Sequence, residues 1–230
     1  MSAASTTLSR SLKFYEASIG KKVVMAVTGC VLFLFVVGHM LGNLQIYMGP
    51  EQLNSYARHL HDLGPLLWVV RGVLLLTVVV HLISAIQLWL MNRAARPSRY
   101  VKHGWVEASF ASRTMIISGP LLAAFIVYHL LHFTTGQAHP NFAPPRGEEF
   151  FVYDNVVNGF SNPLASAAYI VAMIILGYHL IHGVRSMFQS VGINHPLYLP
   201  WIKRFATAAT FAIVAGNISI PVAVLTGFVR

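Results

Sequence analysis

The sequence predicts an all-α integral membrane protein with five membrane-spanning helices. Hydrophobic residues make up 56% of the 230 residues and charged residues only 10%, whereas soluble domains carry about a quarter charged residues. Helices are expected because lipid cannot satisfy the open backbone groups of irregular structure, and the apolar runs are too long for the strands of a membrane barrel. This composition argues against a water-soluble globule and against a nucleic-acid partner.

Five apolar runs, each long enough to cross a hydrocarbon core of about 30 Å, define the predicted spans. The first follows the basic pair Lys21-Lys22, and the second starts at Pro65. The fourth starts after Asn162-Pro163, a helix-initiating pair. The predicted organisation is a cytoplasmic tail, 1–22, and one transmembrane domain, 23–230, with spans at about 23–47, 66–90, 114–135, 164–184 and 205–227.

The basic residues predict the orientation of the chain. Cytoplasmic segments of membrane proteins are enriched in lysine and arginine. With a cytoplasmic N-terminus, 12 of the 16 basic residues lie inside. They are Arg10, Lys13, Lys21, Lys22, Arg93, Arg96, Arg99, Lys102, Arg113, Arg185, Lys203 and Arg204, and the four outside are Arg58, Arg71, Arg146 and Arg230. We therefore expect a multi-pass protein of the cell's inner (cytoplasmic) membrane with its N-terminus cytoplasmic and its C-terminus outside.

The two outer segments between spans differ in character. The segment after the first span contains Glu51–Leu60, which could form a short interfacial helix. The later segment, 136–163, holds Pro140, Pro144 and Pro145. Because clustered prolines interrupt regular structure, we expect this later segment to be an irregular cap.

Four of the 11 histidines are the most unusual feature of the chain, because a histidine within the hydrocarbon core is costly and needs a partner. His39, His81, His129 and His179 lie one on each of the first four spans. At ~1.5 Å per residue, His39 and His129 each lie about 25 Å from the predicted inner edge. By the same measure, His81 and His179 each lie about 24 Å from the predicted outer edge. The four histidines therefore form two depth-matched pairs whose levels are roughly 15–20 Å apart.

Paired imidazoles on opposing helices are the ligand set of a six-coordinate haem iron, and a four-helix bundle can hold a haem between its helices. We therefore expect the first four spans to form a bundle that binds two b-type haems. The lone Cys30 excludes covalent c-type attachment. Since bis-histidine ligation fills both axial positions, electron transfer is expected rather than oxygen binding. The glycines expected to make room for the flat macrocycles are Gly38, Gly42, Gly177 and Gly183.

Two further histidines leave the ligand assignment open. His132 and His182 each follow a proposed ligand by three residues and lie near the same helix face, so either could replace its neighbour. Both lie closer to the membrane surface, where a hydrogen bond to a propionate or a quinone is more natural. The histidines expected to be solvated or to cap loops are His59, His61, His103, His139 and His195.

Six short segments stand in a characteristic order along the chain. They are Ser18–Gly29, Gly38–Asn43 (GHMLGN), Tyr128–His132 (YHLLH), Tyr178–Gly183 (YHLIHG), Ser186–Gln189 (SMFQ) and Gly192–His195 (GINH). Together with five spans and one histidine on each of four helices, they resemble the di-haem cytochrome b subunit that anchors succinate:quinone oxidoreductases and related fumarate reductases in the membrane. The likeness runs over essentially the whole chain.

This resemblance implies ligand roles and partners. His39 and His129 would bind the distal haem. His81 and His179 would bind the proximal haem, next to the cytoplasmic subunits. In such complexes a flavoprotein subunit oxidises succinate, an iron–sulfur subunit passes on the electrons, and the anchor delivers them to quinone, here expected to be menaquinone. The whole complex is then the enzyme, a succinate dehydrogenase of the tricarboxylic acid cycle, and activity of the isolated chain is left open.

Polar residues near the two levels are candidate contacts for propionates and quinone. Arg71 lies about 15 Å from His81 along its helix and is expected to pair with a distal-haem propionate, because an unpaired guanidinium within the membrane is costly. The candidates for proximal propionates are Ser18, Lys21, Lys22, Arg113, His182 and Arg185. The candidates for quinone contacts are Asn43, Gln45, Glu51, Arg58 and His132. The basic inner loop at 93–102 suits both anionic membrane lipid and docking of the iron–sulfur subunit.

Two alternatives remain at the level of the sequence. A di-haem quinol-oxidising subunit of the nitrate-reductase or hydrogenase type also has four or five helices, but its histidines tend to double up on fewer of them. A transporter or structural membrane subunit without a cofactor would satisfy its histidines by contacts between helices.

Overall fold

The structure, a computed structural model, describes residues 15–95 and 109–230. This described part is helical and contains no strand beyond one isolated bridge between Arg146 and Glu149, which confirms the predicted all-α class. The helices are α1 (Ser18–Asn43, continued by the 3-10 helix Leu44–Met48), α2 (Pro50–His61), α3 (Pro65–Ala94), α4 (Phe110–His129, continued by the π-helix Leu130–Thr134), α5 (Val152–Phe160), α6 (Pro163–Ser190) and α7 (Leu199–Leu225). The sequence candidates that lie outside the described residues are Arg10, Lys13, Arg96, Arg99, Lys102 and His103.

Five helices of the described part, namely α1, α3, α4, α6 and α7, are long and apolar enough to cross a membrane. They extend beyond most of the predicted bounds. The first begins at Ser18, within the predicted tail, and the fourth continues to Ser190. The prediction ended spans at charged residues, but lysine and arginine tolerate the end turns of a spanning helix because their long side chains reach the interface. The chain is therefore an all-α integral membrane protein.

The outer segments form a cap over one end of the bundle. The expected short helix after the first span is present as α2, which packs against α5. The expectation that 136–163 is an irregular cap holds for its first half and was wrong for its second half, where α5 forms. The prolines are confined to the first half, whereas Val152, Val156 and Phe160 recur at the spacing of an apolar helix face. We call this capped end of the bundle the outer end.

The spanning helices pack unevenly around one another. The backbone of α1 packs closely against α3 and α6, and α6 also packs against α4 and α7. Among the described residues, neither α1 with α4 nor α3 with α6 is a closely packed pair. Side chains that point from these helices towards each other therefore have space between them.

Candidate functional site: two histidine pairs

The four span histidines come together as two pairs. His39 of α1 and His129 of α4 have ring centroids 5.7 Å apart. His81 of α3 and His179 of α6 have ring centroids 6.5 Å apart. The structure thus brings together the same residues that the sequence pairs by depth, and each pair joins two helices whose backbones are not closely packed.

Hydrogen bonds fix the separation of the two pairs along the bundle. Thr28 Oγ1 of α1 lies 3.0 Å from Nδ1 of His81, so Thr28 marks the depth of the inner pair. His39 follows Thr28 by eleven residues, which is about 16 Å of helix. On α4, Ser118 contacts the other inner histidine and precedes the outer histidine by the same eleven residues. Both helices therefore give the same distance between the levels.

The spacing within each pair fits one metal ion between the two rings. An imidazole nitrogen binds a metal at about 2 Å and lies roughly 1 Å from its own ring centroid, so two coaxial rings place their centroids about 6 Å apart. The observed 5.7 and 6.5 Å lie on either side of this value. All four rings are only partly buried by protein, so each keeps an open side. These residues fit a haem iron at each level.

Hydroxyl groups set the protonation of the inner pair. The Thr28 hydroxyl donates to the carbonyl oxygen of Val24 at 2.8 Å, so its oxygen is left to accept from Nδ1–H of His81. Ser118 likewise donates to a carbonyl of its own helix and lies 3.2 Å from Nδ1 of His179. Both histidines then carry their proton on Nδ1. Their Nε2 atoms keep the lone pair that a metal needs, as in other sites where an outer partner fixes the tautomer of a ligand.

In the outer pair, the hydroxyl that contacts a histidine Nδ1 belongs to a tyrosine. The hydroxyl of Tyr169 on α6 lies 3.2 Å from Nδ1 of His129 and 3.1 Å from Nδ1 of His132. His39 makes no hydrogen bond within the described residues and stacks on Phe35 at 5.3 Å. Sequence reasoning missed Thr28, Ser118 and Tyr169, since none of them stands next to its histidine in the chain.

The surroundings of His132 and His182 differ from those of the paired histidines. His132 lies in the π-helix after α4, is 2% exposed, and has ring contacts with Tyr128 and His139. The exposed part of this ring is too small for a macrocycle to lie against it. His182 places Nε2 3.0 Å from Ser186 Oγ, so the nitrogen needed for iron is engaged. The geometry favours His129 and His179 as ligands.

One loop histidine is buried and caps its own loop. His139 is 4% exposed; its Nε2 lies 2.9 Å from the carbonyl oxygen of Asn155 and its Nδ1 3.2 Å from the backbone N–H of Asn141. The predicted capping role is confirmed by the bond from the Asn141 N–H, whereas the burial of His139 follows from the packing of the segment after α4 against α5 and leaves no periodic signal in the sequence. The other described histidines of this group are exposed, and two of them lie in a helix and not in a loop: His59 and His61 stand in the last turn of α2, whereas His195 lies in the turn before α7.

The glycines near the pairs divide into two kinds. Gly38 and Gly183 have open space where a Cβ would stand. At Gly42 a Cβ would lie 2.6 Å from the hydroxyl oxygen of Tyr56, and at Gly177 it would lie 3.1 Å from a side chain of α7. The expectation of room for a macrocycle at Gly42 and Gly177 was wrong, because these glycines serve close packing against α2 and α7.

Several proposed propionate contacts are engaged elsewhere or lie at the surface. Lys21 is buried and donates to the carbonyl oxygens of Tyr15 and Glu16 at 2.7 and 3.2 Å. Ser18 and Lys22 are exposed. The structure therefore leaves Lys21 unavailable as a propionate partner.

Unpaired polar atoms lie on the inner side of the inner pair. Arg185, six residues after His179, has a buried Nε without a hydrogen-bond partner in the described residues. The Oγ of Ser84, three residues after His81, is likewise buried and has no partner among these residues. Arg113 stacks over Phe110 at 6.0 Å. A buried donor without a partner is costly, so Arg185 and Ser84 suit the carboxylates of a haem placed between the inner histidines.

Two surface cavities open at the outer end. One, of about 360 Å³, lies between the end of α4 and the junction of α5 with α6. Its polar lining residues are Tyr128, His132, His139, Asn141, Asn158 and Asn162. The other, of about 540 Å³, is lined by His61, Trp68 and Arg71, with the Arg71 guanidinium 5.0 Å over the Trp68 ring.

Most of the proposed quinone contacts lie away from the first cavity. Gln45 is hydrogen-bonded to Gln52 at 2.8 Å, and Arg58 donates to the carbonyl oxygen of Glu148 at 3.1 Å. Asn43 ends α1, and Glu51 is exposed in α2. His132 is the one sequence candidate for quinone among the residues given for this cavity.

The five apolar helices define a multi-pass membrane protein. A family model described as "Succinate dehydrogenase/Fumarate reductase transmembrane subunit" matches residues 90–217, which is more than half of the chain. The chain belongs to this family and is therefore a membrane anchor subunit of a succinate dehydrogenase or fumarate reductase, which are oxidoreductase complexes. The matched segment contains His129 and His179, whereas His39 and His81 precede it. No match was found among curated proteins or among solved structures.

Proposed function

We propose that this chain is the di-haem cytochrome b anchor of a succinate dehydrogenase, which carries electrons from an iron–sulfur subunit to membrane quinone. The observation that supports this proposal is the presence of two histidine pairs about 16 Å apart along one bundle. Haem at these sites would supply one-electron redox chemistry. The chain supplies the ligands, their orientation and the surrounding low-dielectric medium.

The ligand roles follow from the pairs. His39 and His129 would hold the outer, distal iron, and His81 and His179 the inner, proximal iron. Hydroxyl partners support Nε2 as the binding atom of the inner ligands. Arg185 would neutralise a propionate of the inner haem, since its Nε is buried and unpaired in the described residues.

The cavity between the end of α4 and the junction of α5 with α6, which we call the outer cavity, is the proposed quinone site. Quinone carbonyls accept hydrogen bonds, and the cavity offers histidine and asparagine side chains as donors. Its volume of about 360 Å³ lies within the usual range of small-molecule sites. Its position beside the outer histidine pair would allow the two electrons that quinone takes up to arrive from the outer haem.

The proposed orientation places the inner end in the cytoplasm. The basic residues that favour this orientation would also suit an iron–sulfur subunit docked at the inner end, with the flavoprotein subunit beyond it. Electrons from succinate would then enter at the inner haem and leave at the outer end. The proposed location is the cytoplasmic membrane of the cell.

A reduced-minus-oxidised optical spectrum of the purified protein tests the central claim. We expect a b-type band at about 560 nm and two haems per chain, because each histidine pair would hold one iron. Succinate added to the complex is expected to reduce both haems. A spectrum without a b-type band would contradict haem binding, and reduction by quinol but not by succinate would contradict the proposed direction.

The close approach of α1 to His81 gives a second test. A Cβ at Gly29 would lie 3.3 Å from Cε1 of His81, so Gly29→Val is expected to displace this ring and lower the haem content towards one per chain. Haem and protein are quantified in the same sample. Gly72→Val, on α3 with open space at its Cβ position, is the control and should keep both haems. Equal haem contents in the two variants would contradict the packing of α1 against the inner ligand.

A further inference from the structure

Tyr169 lies between the outer histidine pair and the outer cavity. It is 7% exposed and belongs to a buried hydrophobic cluster. Its hydroxyl oxygen lies within hydrogen-bond distance of both His129 and His132. His132 lines the outer cavity. One phenol therefore contacts a proposed iron ligand on one side and a cavity residue on the other.

The side chains of His129, Tyr169 and His132 form a hydrogen-bonded chain, and its protons can be assigned in order. If His129 binds iron through Nε2, its Nδ1 carries the proton and donates to the oxygen of Tyr169. A phenol has one proton and can accept at its oxygen while it donates. The Tyr169 proton is then directed to His132, whose Nδ1 must accept. The remaining proton of a neutral His132 ring lies on Nε2.

His139 holds the His132 ring in place without joining this chain. Its Nε2 must donate, because its partner is the carbonyl oxygen of Asn155. Its Nδ1 must accept, because its partner is the backbone N–H of Asn141. Both nitrogens are thus satisfied. The His132 ring stacks on the Tyr128 ring, with centroids 5.3 Å apart and an interplanar angle of 11°. It also stacks on the His139 ring, with centroids 5.0 Å apart and an interplanar angle of 27°.

The inner pair has no equivalent chain. The hydroxyl protons of Thr28 and Ser118 both go to carbonyl oxygens of their own helices. These hydrogen bonds end in the backbone and lead to no further side chain. In the outer pair, by contrast, the hydrogen bonds continue from His129 through Tyr169 to His132, which lines the outer cavity.

We propose that Tyr169 is a positioning residue that couples the outer iron ligand His129 to the occupant of the outer cavity. It accepts from Nδ1–H of His129 and donates to Nδ1 of His132, which leaves Nε2–H of His132 as a donor for a carbonyl oxygen of a quinone ring. This inference rests on the proposed function, because it takes His129 as an iron ligand.

The coupling has a predictable sign. An acceptor on Nδ1–H makes the imidazole more electron-donating, and a more electron-donating ligand stabilises oxidised iron. Removal of the Tyr169 hydroxyl is therefore expected to raise the midpoint potential of the outer haem. The potential of the inner haem should not change, because its ligands contact Thr28 and Ser118 instead.

Redox titration of the purified complex tests this inference. Tyr169→Phe is expected to change the equilibrium of the outer haem by about tenfold, a rise of about 59 mV for one electron. The outer haem is identified as the one lost in His39→Ala. Tyr153→Phe is the matched control, since it removes another buried hydroxyl of the same cluster, one that donates to the carbonyl oxygen of Arg230; it should move neither potential. Thr28→Val should raise the inner potential only.

The possible outcomes separate the two proposals. An unchanged outer potential in Tyr169→Phe, or the same shift in Tyr153→Phe, would overturn the coupling while both haems remain. If Tyr169→Phe does not assemble, His132→Phe keeps an aromatic ring and removes the acceptor of the phenol proton. It is then expected to raise the outer potential by a smaller amount, and no shift would overturn the inference. Absence of haem from the unaltered complex would overturn the proposed function itself.

Discussion

Alanine at His81 or at His179 is expected to remove the inner haem and to leave the outer haem in place. The two rings, 6.5 Å apart, would hold one iron between α3 and α6, and these helices have little other contact to keep the site closed. Loss of either imidazole would leave the other without its partner ligand, and the nearby His182 has its Nε2 3.0 Å from the hydroxyl of Ser186. Haem per chain should fall from two to one. Electron transfer from succinate to quinone should fall by at least about tenfold.

His182→Ala is the matched control for this prediction. His182 lies on the same helix as His179, three residues further on, and its replacement should leave both haems bound. Haem is quantified per chain after purification of the whole complex, and succinate-driven quinone reduction is measured on the same material. Retention of both haems in His179→Ala with loss of one in His182→Ala would reverse the ligand assignment on α6.

The pairing of the histidines could be predicted from the sequence because helix rise is nearly constant. Once span ends are located to within a few residues, ~1.5 Å per residue places each histidine at a depth. Several helices begin or end a few residues away from the predicted span bounds, for example at Ser18 where the span was predicted to begin at 23, and this difference does not disturb the pairing. The pairing compares depths that were measured from the same membrane edge.

The partners of the histidines could not be predicted in this way. Thr28 and His81 are 53 residues apart, and Ser118 and His179 are 61 residues apart. A single serine or threonine in an apolar helix commonly bonds to its own backbone, and both residues do so here. Their second role depends on how the helices rotate about their axes, which a depth measurement does not determine.

The outer cap shows the same limit for a loop. The prolines of 136–163 indicated irregular structure correctly in the first half of the segment. The burial of His139 and the formation of α5 depend on packing against the end of α4 and against α2. The outer cavity combines residues of α4, of the segment after it, of α5 and of α6. No single stretch of sequence therefore predicts it.

On α4, alanine at His129 is expected to remove the outer haem, whereas alanine at His132 should leave both haems bound. The ring of His129 faces His39 at 5.7 Å and keeps an open side, whereas His132 is 2% exposed and has its Nδ1 on Tyr169. Haem per chain should therefore be one in His129→Ala and two in His132→Ala. Haem and protein are quantified in the two purified complexes, and optical spectra are recorded on the same samples.

The comparison is demanding because the two residues share a helix face and one hydrogen-bond partner. Removal of the buried His132 ring should cost folding free energy, since large-to-small changes in a packed interior cost about 2–5 kcal/mol, so a lower yield of complex is expected. The haem ratio of the complex that does assemble separates ligation from stability. A ratio of one in His132→Ala, together with two in His129→Ala, would make His132 the ligand and remove the basis for placing Tyr169 between iron and cavity. A ratio of two in His132→Ala with weakened quinone reduction would instead place His132 on the quinone side of Tyr169, where it lines the outer cavity.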